Sequence, residues 1–328
     1  MNEWLRENLV CPRDRQKLKF VENNLICPAN HSYPIVEDIP IMLVEEQEHI
    51  HGYITETLET VAKIQSSESK SQIETAAPSG DEVDSYVQSE ILYTCGNLYM
   101  PLMKKLTRYP IPELRLPAGG GKRFLDVGCN WGRWTIAAAQ NGYLPVGIDP
   151  SLKAVLAARR ISKQLNVAAD FVVGDARYLP FAENSFDVGF SYSVLQHFSK
   201  ENAKISLDEM ARTVKKNGKA VVQMPNKYGL RSFYQQMRQG FGEGAGVDVR
   251  YWSPSELMET FTEKFGATKM SVDCFFGLNI QKNDVDLLPT RFKIVVHSSE
   301  FMRRASRKLP LLINAADSVY LESDNQKR

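Results

Sequence analysis

The chain has 328 residues, a formal net charge of +1, and 43% hydrophobic residues. That apolar fraction supports a substantial globular core, and the length suits two domains. Five cysteines, Cys11, Cys27, Cys95, Cys129 and Cys274, form no disulfide-scaffold pattern, and no apolar run is long enough to span a bilayer. With no secretory leader evident either, a soluble cytoplasmic protein is expected. The charge is uneven: five basic residues face six acidic ones in residues 1–44, two face ten in 45–85, and 33 face 23 in 86–328. A basic C-terminal part fits an anionic substrate or surface, and equally a solvated face of scattered lysines.

The first unit, residues 1–47, carries Cys11-Pro-Arg-Asp14, then Cys27-Pro-Ala-Asn-His31, then the apolar run Tyr33 to Leu43. The spacing C-x2-D and C-x3-H approaches a two-knuckle zinc ribbon with one cysteine replaced by Asp14. Fewer than fifty residues need a staple to fold alone. The unit resembles the small zinc ribbons of the Trm112-like type. The resemblance implies Cys11, Asp14, Cys27 and His31 as candidate zinc ligands, and a role in partner recognition or fold support. Residues 48–84 follow as an acidic, partly flexible linker whose first half is a candidate helix. Val83 to Leu106 then reads as a helix rich in Tyr, Leu and Met.

Residues 123–132 read Arg-Phe-Leu-Asp-Val-Gly-Cys-Asn-Trp-Gly. An apolar run ends in an acid, turns on close glycines and enters a small-residue helix. This is where an open α/β sheet holds a nucleotide-like ligand. Gly128 permits the sharp turn, Asn130 visits positive φ readily, and Gly132 would let a ligand approach the main chain. A second strand ends at Asp149, 17 residues after Gly132, where an acid can take ribose hydroxyls. A helix from Ser151 to Leu165 follows, then a third strand, Asp170 to Val173, ending at Gly174-Asp175-Ala176. A fourth strand, Phe186 to Ser191, leads into Tyr192-Ser-Val-Leu-Gln-His-Phe198. A helix from Ala203 to Val214 is expected to stop at Asn217-Gly218, before a fifth strand, Lys219 to Met224. The alternation predicts a parallel sheet.

Four motifs in order carry a resemblance to the class I S-adenosylmethionine-dependent methyltransferases of the type 11 kind. They are Leu125-Asp-Val-Gly-Cys-Asn-Trp-Gly132, Ile148-Asp149, Gly174-Asp175-Ala176 with Leu179-Pro-Phe181, and Phe186-Asp187-Val188 with Ser191 to Phe198. Asn130 stands where glycine is usual. The resemblance implies a Rossmann-like seven-stranded α/β sheet over residues 85–328, with helices on both faces. It implies S-adenosylmethionine as cofactor. Asp126, Gly128, Cys129, Asn130 and Gly132 would lie along its methionine part, Asp149 and Pro150 at the ribose, and Asp175 and Ala176 at the adenine. Ser191, Tyr192 and Gln196 would close the pocket beside the sulfonium. Tyr86, Tyr93 or Tyr99 would lie over it. His197, at the carboxyl edge of the sheet, is the candidate base for a hydroxyl acceptor. His297 is the weaker alternative.

Two insertions depart from the pattern. Residues 226–252 lack strong periodicity and hold Lys227, Arg231, Arg238, Arg250, Tyr228, Phe233, Tyr234 and Phe241. They read as a mobile lid selecting an acceptor with an apolar part and a negative group. A capped helix starts at Ser253-Pro254, with Glu256 completing a capping box. Between a sixth strand, Lys269 to Ile280, and a seventh, Asp317 to Glu322, residues 285–312 form a basic amphipathic segment. It would pack its apolar face on the sheet, or rest on an anionic membrane or partner. The expected activity is methyl transfer to a small-molecule, sugar- or lipid-linked acceptor at oxygen. RNA methylation is the rival, disfavoured by the acidic linker and the lack of a dense basic run. A non-catalytic, partner-recruiting module is a third reading, and a dehydrogenase the weakest.

Overall fold

The computed structural model describes residues 1–45, 52–66, 78–242, 248–279 and 281–326. Five strands lie parallel at the centre: β5 (Arg123–Val127), β6 (Leu144–Asp149), β7 (Asp170–Gly174), β8 (Phe186–Tyr192) and β9 (Val214–Pro225). Their order is β7-β6-β5-β8-β9, and β11 (Ser318–Asp324) and β10 (Thr268–Cys274) continue it antiparallel. The order reverses beside β5, so the carboxyl ends of β5 and β8 splay a crevice there.

Alternate residues of a strand serve opposite faces. Leu125 and Val127 pack with Leu207 of α6 (Lys200–Thr213) and with Leu257 and Phe261 of α8 (Pro254–Phe265). Phe124 packs instead with Trp134 and Ala138 of α4 (Arg133–Gln140). Helix α5 (Leu152–Gln164) covers the same side as α4, with Ala158 against Phe171. The first residue of α4, Arg133, is buried and ion-paired with Asp284 at 2.7 Å. Ser253 and Glu256 form the expected capping box on α8.

Among the described residues the sheet holds eleven strands, seven from residues 85–328 and four more from the N-terminal unit. The N-terminal unit supplies the short α1 (Glu3–Asn8) and an antiparallel set, β1 (Lys19–Val21), β2 (Asn24–Ile26), β3 (Ser32–Val36) and β4 (Ile39–Met42). Strand β4 then pairs in parallel with the edge of β7, Ile41 opposite Val173 and Met42 opposite Gly174. All four residues of β4 are buried, so pairing satisfies an edge and covers apolar surface at once. The Val10 amide donates to the Pro180 carbonyl at 3.0 Å, and Ala182 donates to Asn8 at 2.8 Å.

Part of the stretch read as linker is ordered helix. In α2 (Gly52–Gln65), Ile54, Thr57 and Val61 are buried. The Thr57 hydroxyl donates to the Pro150 carbonyl at 2.9 Å and accepts from the Leu152 amide at 3.0 Å. The Ser-rich remainder, 67–77, lies outside the described residues.

The expected helix over 83–106 breaks at Gly96 (φ 90°), leaving α3 (Ser85–Cys95) and a 3-10 turn, Asn97–Leu102. Asn217-Gly218 does not cap α6. The helix passes directly into β9 at Val214, and Asn217 (φ 62°) sits where the β8–β9 register shifts. The region read as an aperiodic lid contains a regular helix, α7 (Leu230–Arg238). In the 285–312 insertion, α9 (Thr290–Ser306) buries Val296 and Ser299, and the Ser299 hydroxyl accepts from the Phe275 amide at 2.9 Å. That insertion therefore packs on the sheet through α9.

Candidate active site

The turn after β5 is set by backbone geometry. Gly128 adopts φ 80° and donates to the Ile148 carbonyl at 2.8 Å. A Cβ there would lie 2.2 Å from Val194 Cγ2, so only glycine fits. Asn130 takes φ 45°, and its amide donates to Asp149 Oδ2 at 2.9 Å. The other Asp149 oxygen accepts from the Ser151 amide at 3.0 Å. Asp149 closes β6 at 9% exposure. Burial pushes its carboxyl up to about 6, against the pull of those two amides.

Around this turn opens a cavity of about 720 Å³. Gly128, Asn130, Asp149, Pro150, Asp175, Ala176, Tyr192, Gln196 and His197 line it. Asp175 is clamped by Arg177, whose guanidinium donates from Nη2 at 2.6 Å and from Nε at 3.1 Å. Tyr192 donates its hydroxyl to Asp273 at 2.6 Å. The 3-10 turn Leu195–His197 carries Gln196 and His197, and Arg250 donates to the His197 carbonyl at 2.7 Å. Gln196 is buried, with Oε1 unpartnered among the described residues.

Four expected residues are not brought to the lining. Asp126 is 1% exposed and accepts from the Thr135 hydroxyl at 2.6 Å, bracing α4 against β5. Burial pushes its carboxyl up to about 7, and the neighbouring Asp149 adds to the rise. Ser191 turns inward and donates to the Val127 carbonyl at 3.0 Å. The Cys129 sulfur folds back to within 3.6 Å of the Asn130 carbonyl. At Gly132 (φ 81°) a Cβ would lie 3.0 Å from Ala158 Cβ, so its bare backbone serves helix packing. Of the three tyrosines, Tyr93 lines the cavity, whereas Tyr99 is buried and donates to Asp284. Tyr86 lies outside the lining, and burial raises its hydroxyl. His297 is exposed on α9.

The cavity also gathers Arg231, Gln235 and Tyr251 from the segment read as a lid, and residues the sequence did not mark: Tyr53 and Ile54 of α2, Glu90 of α3, Asn279 and Asp317. Ser193 (φ 59°) and Asn279 (φ 66°) join Asn130 as lining residues in the left-handed region, a backbone cost that clusters at functional sites. The Ser193 hydroxyl lies 2.9 Å from Asn279 Oδ1. Asp317 is fully buried. Its Oδ1 accepts from the amides of Arg231 (2.6 Å) and Ser232 (2.8 Å) at the start of α7, and Oδ2 has no partner among the described residues. A carboxylate opening the last strand was visible in the sequence, but nothing there tied it to residue 231.

A second cluster sits in the N-terminal unit. Ligand atoms of Cys11, Asp14, Cys27 and His31 all lie within 4.8 Å of one another. His31 Nδ1 is 3.4 Å from the Cys11 sulfur, 3.3 Å from that of Cys27 and 3.3 Å from Asp14 Oδ2.

Residues 125–222 match the family model described as a methyltransferase domain. Over 105 residues the chain is 37% identical to a demethylmenaquinone methyltransferase of Renibacterium salmoninarum, covering 31% of this chain and 40% of that protein. Over 126 residues it is 29% identical to a tRNA (carboxymethyluridine(34)-5-O)-methyltransferase of Schizosaccharomyces pombe, covering 38% and 49%. The chain thus spans less than half the length of these two relatives. A UPF0434 protein of Vesicomyosocius okutanii is 49% identical over 47 residues, 14% of this chain and 80% of that protein.

The parallel sheet, its glycine turn and the match over residues 125–222 together support an α/β methyltransferase fold. Through the 47-residue stretch, the chain belongs to the UPF0434 family. No helix among the described residues is long and apolar enough to cross a membrane.

Proposed function

We propose that the protein is an S-adenosylmethionine-dependent methyltransferase acting on a hydroxyl of a small-molecule, sugar- or lipid-linked acceptor. The observation carrying this reading is the joining of Gly128, Asn130 and Asp149 in the lining of a cavity of about 720 Å³, at the carboxyl edge of a parallel sheet. Each Asp149 oxygen already takes one backbone amide and keeps a lone pair for a ribose hydroxyl. Gly174, Asp175 and Ala176 supply main-chain and acid groups for the adenine.

When bound, the cofactor supplies a methyl group already activated on a sulfonium. The protein's work is alignment and exclusion of water. His197, in the lining of the same cavity, would take the proton that the acceptor hydroxyl gives up as it receives the methyl group. Calorimetry on the full chain with S-adenosylmethionine and S-adenosylhomocysteine tests the reading. It expects saturable heat from both, and no heat from either would sink it. Label from the methyl-labelled cofactor, sorted among RNA, lipid, protein and small molecules of a cell extract, identifies the acceptor. Label confined to RNA would favour the rival substrate.

In the N-terminal unit the donor set fits zinc. Bond lengths of about 2.0–2.3 Å to nitrogen, oxygen and sulfur in a tetrahedron require donor separations of about 3.3–3.8 Å. The contacts of 3.3 and 3.4 Å around His31 meet that requirement. Cys11, Asp14, Cys27 and His31 would hold the ion, which would staple the two knuckles and take no part in methyl transfer.

A further inference from the structure

Helix α7 is built inside out. Leu230, Phe233, Tyr234 and Met237 recur at helical spacing, and Phe241 continues the row just beyond the helix. Such a stripe ordinarily faces a core. Here the five are 51–58% exposed. The opposite face carries Arg231, Ser232 and Gln235, which line the cavity. Scattered exposed apolar residues mean little, but a contiguous apolar stripe over a site entrance marks an interaction surface. Phe233 and Phe241 are already paired, with ring centroids 5.6 Å apart.

The surroundings say what covers it. Exposed Lys227 and Arg238 flank the stripe. At the root of α7, Asn226 donates to the carbonyls of Ile313 (3.0 Å) and Asn314 (3.2 Å). That ties the helix to the turn Pro310–Ala315, which follows an exposed run of Arg307, Lys308, Leu309 and Pro310 and itself exposes Leu311. Leu309 is 60% and Leu311 83% exposed. Aromatic and aliphatic groups bordered by cations are the chemistry of a helix lying in the headgroup boundary of an anionic bilayer. A water-soluble partner helix would equally take the apolar row, but would not by itself call for the basic border.

We propose that the outer face of α7, with the neighbouring Leu309–Leu311 run, docks on an anionic lipid surface and sets the cavity mouth at the membrane boundary. Docking stands independently of the chemistry assigned above. Its consequence, that the acceptor is a lipid-embedded molecule entering past α7, rests on the methyltransferase reading.

The test is co-sedimentation of the full chain with vesicles of phosphatidylcholine, with and without phosphatidylglycerol. Binding is expected to the phosphatidylglycerol vesicles above the neutral ones, weakening as salt rises. Phe233→Ser with Met237→Ser should lower it about tenfold. Lys227→Glu with Arg238→Glu should remove the preference for the anionic lipid. Thermal melting should be unchanged in both pairs, since all four side chains are exposed. Equal sedimentation of parent and apolar variants, or no sedimentation with either vesicle, overturns the proposal. Lipid-free sedimentation velocity showing a dimer that the apolar variants disperse also overturns it, assigning the stripe to a second copy. Cofactor calorimetry on the same variants keeps the two readings apart: intact heats with lost vesicle binding separate docking from the pocket.

Discussion

The two ends of the cavity are made differently. At one end Gly128, Asn130 and Asp149 belong to a strand–turn–helix and the next strand, and each is held by main-chain hydrogen bonds spanning at most 20 residues. At the other end Arg231 and Ser232 meet Asp317 across some 85 residues of chain. The first end is backbone fixed by local hydrogen bonds. The second is side chains from separate segments, free to differ among proteins that share the first. A site of this form keeps its cofactor and changes its acceptor.

Substitutions should separate the ends. The largest effect is expected at the junction. His197→Ala should slow turnover by about 10²–10⁴-fold, the usual worth of a general base, with cofactor affinity unchanged. Turnover near the parent's would remove the base from this position. Next, Asp149→Ala should weaken S-adenosylmethionine about a hundredfold by calorimetry, since hydrogen bonds to a charged group are worth about 1.5–3 kcal/mol each. An unaltered dissociation constant would detach the ribose from Asp149. At the far end, Asp317→Ala leaves two amides of α7 without their acceptor and should cost about 1–2 kcal/mol in denaturant unfolding. Asp317→Asn, which keeps Oδ1, should cost less, and neither should alter cofactor affinity. Equal losses from both variants would show that the capping contact is not what matters.

The smallest effects come from pH. Asp149 accepts hydroxyls more strongly, and through both oxygens, when ionised, so cofactor affinity should hold at neutral pH and decline as pH falls through about 6. Stability runs the other way. The carboxyls of Asp149 and Asp126 are raised in the fold, so their contribution is full below the unfolded value of about 3.9 and is lost as pH rises through about 6 and about 7. Asp126→Asn should therefore melt above the parent at pH 8, with the gap closing near pH 4. A gap independent of pH would mean that packing, not ionisation, governs Asp126. In the N-terminal unit, Cys27→Ser or a strong chelator should lower the melting temperature if zinc is held there. Elemental analysis of the untreated chain showing no zinc would refute the staple.

Much of the first end was legible because its chemistry is local. Closely spaced glycines after an apolar run need a turn, and the acid ending the next strand must lie beside it. Period alone does not say which way a residue faces at a strand end. Asp126 and Ser191 accordingly turned out to brace α4 and β5 instead of lining the cavity. Asn217-Gly218 looked like a helix stop because the same positive φ serves a cap and an irregularity at a strand's start. The N-terminal unit, residues 1–47, was read as a small domain of its own. Edge pairing with β7 drew its short strands into the main sheet, because buried Ile41 and Met42 gain both a ladder and a cover.

The sequence by itself determined the alternation of strands and helices, the glycine turn and the acid beside it, and the set Cys11, Asp14, Cys27 and His31. Each follows from neighbours within a few dozen residues, where sterics and hydrogen-bond need leave little choice. Only the tertiary structure decided that β4 extends the sheet, that Asp317 faces the start of α7, and that α7 turns its apolar row outward. Those outcomes depend on which surfaces meet across long stretches of chain, and an amphipathic period records that two faces differ without recording which one meets the protein.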